Sequence, residues 1–177
     1  MSYTLNFKNS LLVFIIIFGA SCSNAQTSGS KELNVKYNKY YSRNDKSKLE
    51  VSNAEWKKIL PSELYAVSRE KETERPFIGK YVNNEAKGKY YCAVCGNYLF
   101  KSTAKFKSSC GWPSFFEPQI NSVIYKADGS YGMDRTEVLC NRCGSHLGHI
   151  FDDGPPPTYK RFCMNSISLE FEAFTKN

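Results

Sequence analysis

Two short cysteine pairs constrain this chain more than any other feature in it. Cys92-Ala-Val-Cys95-Gly96 is followed by Leu99, and Cys140-Asn-Arg-Cys143-Gly144 by Leu147, so each reads Cys-x-x-Cys-Gly-x-x-Leu after a strand-like stretch. Two residues between cysteines let one tight turn present both sulfurs to a single ion. Zn²⁺ closes such a site tetrahedrally with four sulfurs at roughly 2.3 Å. The spacer, residues 96–139, assigns the two knuckles to different hairpins. The glycine after each pair lets the backbone fold back and is expected to turn N–H groups toward the thiolates. The alternative is a disulfide within each pair, but such bonds belong to redox catalysts with one motif beside a helix. Two matched knuckles favour a structural metal with no open position for water or substrate.

Around the knuckles the pattern predicts an antiparallel β core with a helical N-terminal flank. Ser52 followed by Glu55 is a capping-box pattern, and Trp56, Ile59 and Leu60 fall on one face of the helix it starts. Pro61 suits the first turn of a second short helix carrying Leu64, Tyr65 and Val67. Beyond Gly88 the signal changes to short strands at Tyr90–Cys92, Val123–Tyr125, Val138–Cys140 and Arg161–Met164. Ile167, Leu169 and Phe171 alternate with Ser168, Glu170 and Glu172, the period of a half-buried strand. Gly111–Pro113 and Gly154–Pro157 mark loops.

The N-terminus reads as a targeting segment. Leu11–Phe18 is an apolar run preceded by Lys8 and followed by Gly19, Ala20 and Ser21, the layout of a signal peptide over residues 1–25 and too short to span a bilayer comfortably. Two processing routes fit: cleavage after Ala25, or a lipoprotein-type box that leaves Cys22 as a lipidated first residue. The expected location is therefore outside the cytoplasm: periplasmic, secreted, or anchored to a membrane as a lipoprotein. Residues 26–48, polar and without apolar period, are expected to be a linker. The folded domain should occupy residues 49–177.

The net charge of +7 raises the question of nucleic acid, but its distribution argues against it. Residues 26–89 hold 14 Lys and Arg against 9 Asp and Glu, whereas residues 90–177 hold 9 against 8. The excess sits on the arm, and the cysteine-rich module is nearly neutral.

Two further cysteines have no structural assignment. Cys110 lies in Ser108-Ser-Cys110-Gly-Trp112-Pro-Ser114-Phe115, and Cys163 in the expected strand Arg161-Phe-Cys163-Met-Asn165. They could be a stabilising disulfide or buried thiols. The only two histidines, His146 and His149, stand together just past the second knuckle. They are candidates for proton handling or, since the cysteines already supply four ligands, less favourably for a metal.

From Tyr81 to Phe171 the chain closely resembles the B-type methionine sulfoxide reductases. The likeness is carried by Gly111-Trp-Pro-Ser-Phe115, His146-Leu-Gly-His149 and Arg161-Phe-Cys163-Met-Asn165, together with both knuckles. It implies a β-tent-like fold of antiparallel sheets with one structural zinc on Cys92, Cys95, Cys140 and Cys143. It also implies that Cys163 attacks the sulfoxide sulfur, that Cys110 resolves the resulting sulfenic acid to a disulfide, and that a thioredoxin-like donor reduces that bond. His149, His146 and Asn165 would serve catalysis, and Trp112 and Phe151 would line the substrate pocket. Where the family often has tyrosine, Phe162 lacks the hydroxyl. The implied substrates are oxidised proteins or peptides bearing methionine-(R)-S-oxide, acted on by a monomer. Two rivals remain: a zinc-stabilised binding module, which would need neither Cys110 nor Cys163, and a thiol–disulfide oxidoreductase using the Cys-x-x-Cys pairs, which bound zinc would disable.

Overall fold

The computed structural model describes residue 1 and residues 38–175. The expected signal segment and most of the expected linker lie outside the described residues. Two helices, α1 (Asn53–Ile59) and α2 (Ser62–Glu70), precede nine strands. The Ser52 hydroxyl accepts from the Glu55 N–H at 3.2 Å and caps α1 as expected. The return half of the capping box is absent, because the Glu55 carboxylate turns outward to Lys39. Pro61 provides the non-helical N-cap of α2, and Lys71 ends it in a left-handed conformation, φ 65°.

The strands are β1 (Gly88–Cys92), β2 (Tyr98–Lys101), β3 (Lys105–Phe106), β4 (Ser114–Phe115), β5 (Val123–Asp128), β6 (Arg135–Cys140), β7 (His146–Phe151), β8 (Arg161–Met164) and β9 (Leu169–Ala173). They form two antiparallel sheets, ordered β2-β1-β9 and β3-β4-β8-β7-β6-β5. The mainly β architecture with a short helical flank is the one expected. The core between the sheets is aromatic: Phe100 stacks on Phe115 with centroids 4.3 Å apart, and Tyr90 meets Phe115 edge-on at 5.0 Å. Trp56 and Leu64 bring the helices onto the same core.

Two expectations need correction. The alternation over 167–172 does not form one strand: Ser166–Ser168 is a single 3₁₀ turn, and β9 begins at Leu169. The Glu74 carboxylate accepts from the N–H groups of Ser166 and Ile167, and Ser168 is buried with its hydroxyl on the His146 carbonyl. Local side-chain bonding there displaces the strand ladder. The polar stretch before residue 49 is also not a free linker along its described length. Asn38 is buried and donates to the Val94 carbonyl at 2.7 Å, and Ser42 N donates to the Cys95 carbonyl at 3.0 Å. Its polar groups are spent on the buried backbone of the first knuckle, so composition alone misjudges it.

Strand β8 lies between β4 and β7, with Cys163 opposite both Ser114 and His149. Gly148 makes that packing possible: a Cβ built on it would lie 2.0 Å from the Cys163 carbonyl oxygen. No rotamer choice relieves a backbone clash of that kind. Gly148→Ala should therefore cost more than about 2 kcal/mol. Chemical denaturation checks this; a midpoint equal to wild type would show that β7 and β8 separate at no cost.

Candidate functional site

The two knuckles are the turns of the β1–β2 and β6–β7 hairpins, one from each sheet. They match bond for bond. Gly96 N donates to the Cys92 carbonyl and Gly144 N to the Cys140 carbonyl, both at 2.8 Å, with the glycines at φ 79° and 69°. The glycines thus close the turns onto carbonyl oxygens, where sequence reasoning expected N–H groups aimed at sulfur. The four sulfurs lie within 4.8 Å of one another and are buried. Cys92 Sγ is 3.8 Å from Cys143 Sγ, and Cys95 Sγ is 3.6 Å from Cys140 Sγ. A tetrahedron with metal–sulfur bonds of roughly 2.3 Å has edges of roughly 3.8 Å. The donor set therefore fits a metal, and neither knuckle is closed by an internal disulfide. Burial pushes the Cys92 thiol far above its ordinary value, so deprotonated sulfurs here call for a cation among them.

The second constellation gathers on the face of β7 and β8. Cys163 Sγ lies 3.3 Å from Cys110 Sγ, which comes from the loop between β3 and β4. Cys163 opens on a cavity of about 100 Å³ whose walls include Thr73, Trp112, Arg135, His149, Phe151 and Asn165. Larger clefts exist, about 460 Å³ beside the second knuckle and about 450 Å³ beside Tyr125 and Phe162, but no thiol opens into either.

Each predicted residue has a definite setting. Trp112 Nε1 donates to the Glu74 carbonyl at 3.1 Å, which fixes the indole. The Asn165 amide is held by backbone: it accepts from Glu74 N at 3.0 Å and donates to the Leu147 carbonyl at 3.2 Å. His149 Nε2 bonds to Asp128 at 2.7 Å, and Arg135 bonds to the same carboxylate at 2.8 Å. Hydrogen bonds from Ser130 and His149 hold Asp128 well below the usual carboxylate range. His146 is not a wall of the cavity. It is buried behind His149, ring centroids 5.3 Å apart, with Nδ1 on Glu137 at 2.8 Å. Burial lowers His146 below its ordinary value despite Glu137, so it is neutral near pH 7 and Nδ1 carries its proton. Glu137, 1% exposed, is kept ionised against its burial by Lys71 and His146.

Several of these residues escaped the sequence reading. Asp128, Arg135, Glu137, Lys71 and Glu74 come from three separate stretches of chain, and no spacing rule joins them to the histidines. Arg161 is different. It stands two residues before Cys163 on the same strand, hence on the same face, and that period was legible. Its guanidinium stacks over Phe151 at 4.4 Å and pairs with Asp153 at 2.8 Å.

The two thiols titrate as a pair. Burial opposes ionisation at Cys110, yet the hydroxyls of Ser108 (3.0 Å) and Ser114 (3.3 Å) lower it to about 7. Cys163 is pushed up to about 12 by burial and by the charge on Cys110, with Arg161 pulling the other way. Above about pH 7 the pair thus carries one negative charge and one proton between two sulfurs. Easier ionisation at Cys110 means that its thiolate predominates above about pH 7 and is lost below it. Iodoacetamide labelling of the pair should therefore rise through about pH 7, and Ser108→Ala should move that midpoint upward. A midpoint at the ordinary thiol value of about 8.5 in wild type would contradict this assignment.

Comparison with known proteins agrees with this geometry. The family model described as the SelR domain matches residues 60–173, which hold both constellations. The chain is 55% identical over 125 residues to the peptide methionine sulfoxide reductase MsrB of Methanosarcina barkeri, covering 70% of this chain and 88% of that protein. It is 51% identical over 122 residues to the protein of the same name in Leptospira interrogans, covering 68% and 93%. Against that of Pseudomonas fluorescens it is 52% identical over 124 residues, covering 70% and 95%. Fold, cysteine geometry and sequence together place one conclusion beyond the binding-module and dithiol-exchange alternatives at the level of family: the chain belongs to the SelR domain family, the family of the MsrB peptide methionine sulfoxide reductases.

Proposed function

We propose that this protein reduces methionine-(R)-S-oxide in peptides or proteins to methionine, with Cys163 as nucleophile and Cys110 as resolving thiol. The observation that carries this reading is the pair of sulfurs 3.3 Å apart where Cys163 meets a cavity walled by Trp112 and Phe151. The flat apolar indole suits the S-methyl group of the substrate, and His149 lies where it can present a proton to the sulfoxide oxygen.

The resting charge on Cys110 gives that sulfur a part before it resolves anything. For attack, the Cys163 proton must pass to the Cys110 thiolate, against the resting order of ionisation; the transfer removes the Cys110 charge that raises Cys163 and leaves Arg161 to favour the new thiolate against burial. The Cys163 thiolate attacks the substrate sulfur while its oxygen takes up a proton. Oxygen moves to Cys163 as a sulfenic acid and the substrate leaves as the thioether, a two-electron exchange. The Cys110 thiol condenses with the sulfenic acid, releasing water and forming the Cys110–Cys163 disulfide. A thioredoxin-like dithiol supplies two electrons and two protons to reopen it. His146 backs His149, and Asn165 acts as a positioning residue because its amide is engaged by backbone.

The metal assigned to Cys92, Cys95, Cys140 and Cys143 is zinc, which four thiolates fill completely and which therefore supplies structure alone. Residues 1–25 are read as the leader that exports the protein, with cleavage before Gln26 or lipidation at Cys22. N-terminal sequencing of protein from its host should begin at one of these two residues; a start at Met1 would exclude export by this route.

Cys163→Ser should abolish reduction, because a hydroxyl is a far weaker nucleophile near neutral pH. Cys110→Ser should yield one equivalent of methionine per enzyme, more slowly at pH 7, and should lose turnover driven by thioredoxin. Dithiothreitol should restore part of that turnover by reducing the sulfenic acid directly. Single-turnover assays on both sulfoxide epimers test all of this together. Equal rates on the two epimers would discredit the pocket roles of Trp112 and His149, and normal thioredoxin-driven cycling of Cys110→Ser would discredit the resolving step.

A further inference from the structure

Arg142 stands between two metal-site cysteines, and its side chain is buried rather than solvated. Its guanidinium has more partners than any other side chain near the knuckles. Nε donates to the Ser47 carbonyl at 3.2 Å. Nη1 donates to the carbonyls of Tyr40 and Ser42, each at 3.2 Å, and to that of Cys95. Nη2 pairs with Asp45 at 2.9 Å. One cation thus grips the second knuckle, which carries it, the first knuckle through Cys95, and the segment Asn38–Lys48.

That segment is also fastened independently of the Arg142 side chain. Asn38 donates to the Val94 carbonyl inside the first knuckle at 2.7 Å, and Ser42 N to the Cys95 carbonyl at 3.0 Å. Leu49 N donates to the Arg142 carbonyl at 2.8 Å. The fit is close: a Cβ on Gly96 would lie 2.7 Å from the Ser42 carbonyl oxygen. Further along the same sheet, Arg43 pairs with Glu170 at 3.1 Å and sits over the Tyr91 ring at 4.4 Å. The segment lies upstream of residues 60–173, the stretch matched by the family model.

We propose that Asn38–Lys48, clasped by Arg142, is a cover over the four-cysteine site that sets how fast the site exchanges its metal. The inference rests on reading Cys92, Cys95, Cys140 and Cys143 as a metal site. Zn²⁺ with four thiolates has a net charge of −2, and a buried guanidinium beside it offsets part of that charge. Metal leaves a buried site when a ligand turn opens locally and a competing ligand enters. Opening the first knuckle means moving the Cys95 carbonyl, which is held by both Arg142 and Ser42. Reaching the sulfurs past this turn means lifting the segment. Arg142 is therefore a positioning residue for the metal site, and the segment upstream of the matched domain is part of that site's enclosure.

The test is zinc release from the purified, zinc-containing protein to a coloured chelator, followed well below the melting temperature. Arg142→Gln should release zinc at least ten-fold faster than wild type. Arg142→Lys should recover little of the loss, since an ammonium cannot span four carbonyl oxygens and a carboxylate. Val67→Ala, a core change in α2, serves as the control for general destabilisation. Asn38→Ala and Asp45→Ala each remove one fastening of the segment, leave the knuckles intact, and should each speed release about three-fold; they carry the test if Arg142→Gln does not fold. Zinc present with wild-type release rates in Asn38→Ala and Asp45→Ala, or an Arg142→Gln rate no faster than the Val67→Ala control, would overturn the cover alone. Wild-type protein without bound zinc would overturn the metal reading and the cover with it.

Discussion

Four buried sulfurs gather where the two sheets converge. The hairpin carrying Cys92 and Cys95 belongs to one sheet and the hairpin carrying Cys140 and Cys143 to the other, so a metal held by the four would cross-link them. The strands beside Cys163 run out from this junction. β7 leaves the second knuckle directly and delivers His146, Gly148 and His149, and β8 is registered against β7 with Cys163 opposite His149. A metal at the knuckles would take no part in the proposed chemistry, yet it would fix where β7 begins.

The parts of the molecule legible in the sequence are those governed by local rules. Knuckle spacing, the Ser52 cap, the proline before α2 and the strand at Arg161–Met164 follow from short-range geometry, and the structure contains them. Cys110 and Cys163 stood out because nothing structural claimed them, but their approach across a loop and a strand could be expected only from the family resemblance. Long-range polar pairing was illegible. The Asp128–His149 and Glu137–His146 pairs depend on the register of β5, β6 and β7, which the sequence does not declare. The same blindness explains the segment before residue 49. Its side chains look solvated, yet its carbonyls are the acceptors for a buried arginine.

The two histidines show how environment separates like residues. His146 is neutral, oriented by an ionised Glu137 that Lys71 keeps charged, and enclosed. His149, three residues on, reaches the cavity and shares a carboxylate with Arg135. One is a fixed member of the scaffold beneath the site and the other faces the space where a substrate would lie. Trp112 and Asn165 are pinned differently, both through the backbone of Glu74, so that these two walls of the cavity are held by main chain.

The separation of 3.3 Å between Cys110 and Cys163 has a geometric corollary. A disulfide bond is roughly 2.05 Å long, so closing it asks the sulfurs to approach by only about 1.3 Å. Cys163 belongs to a strand hydrogen-bonded on both edges, and Cys110 to a loop, so the adjustment falls on the loop. On the proposed mechanism the reduced and oxidised forms would then be nearly isosteric. A partner that must tell them apart has almost no change of global shape to read, and discrimination reduces to the small surface around Gly111 and Trp112 that shifts with the sulfur.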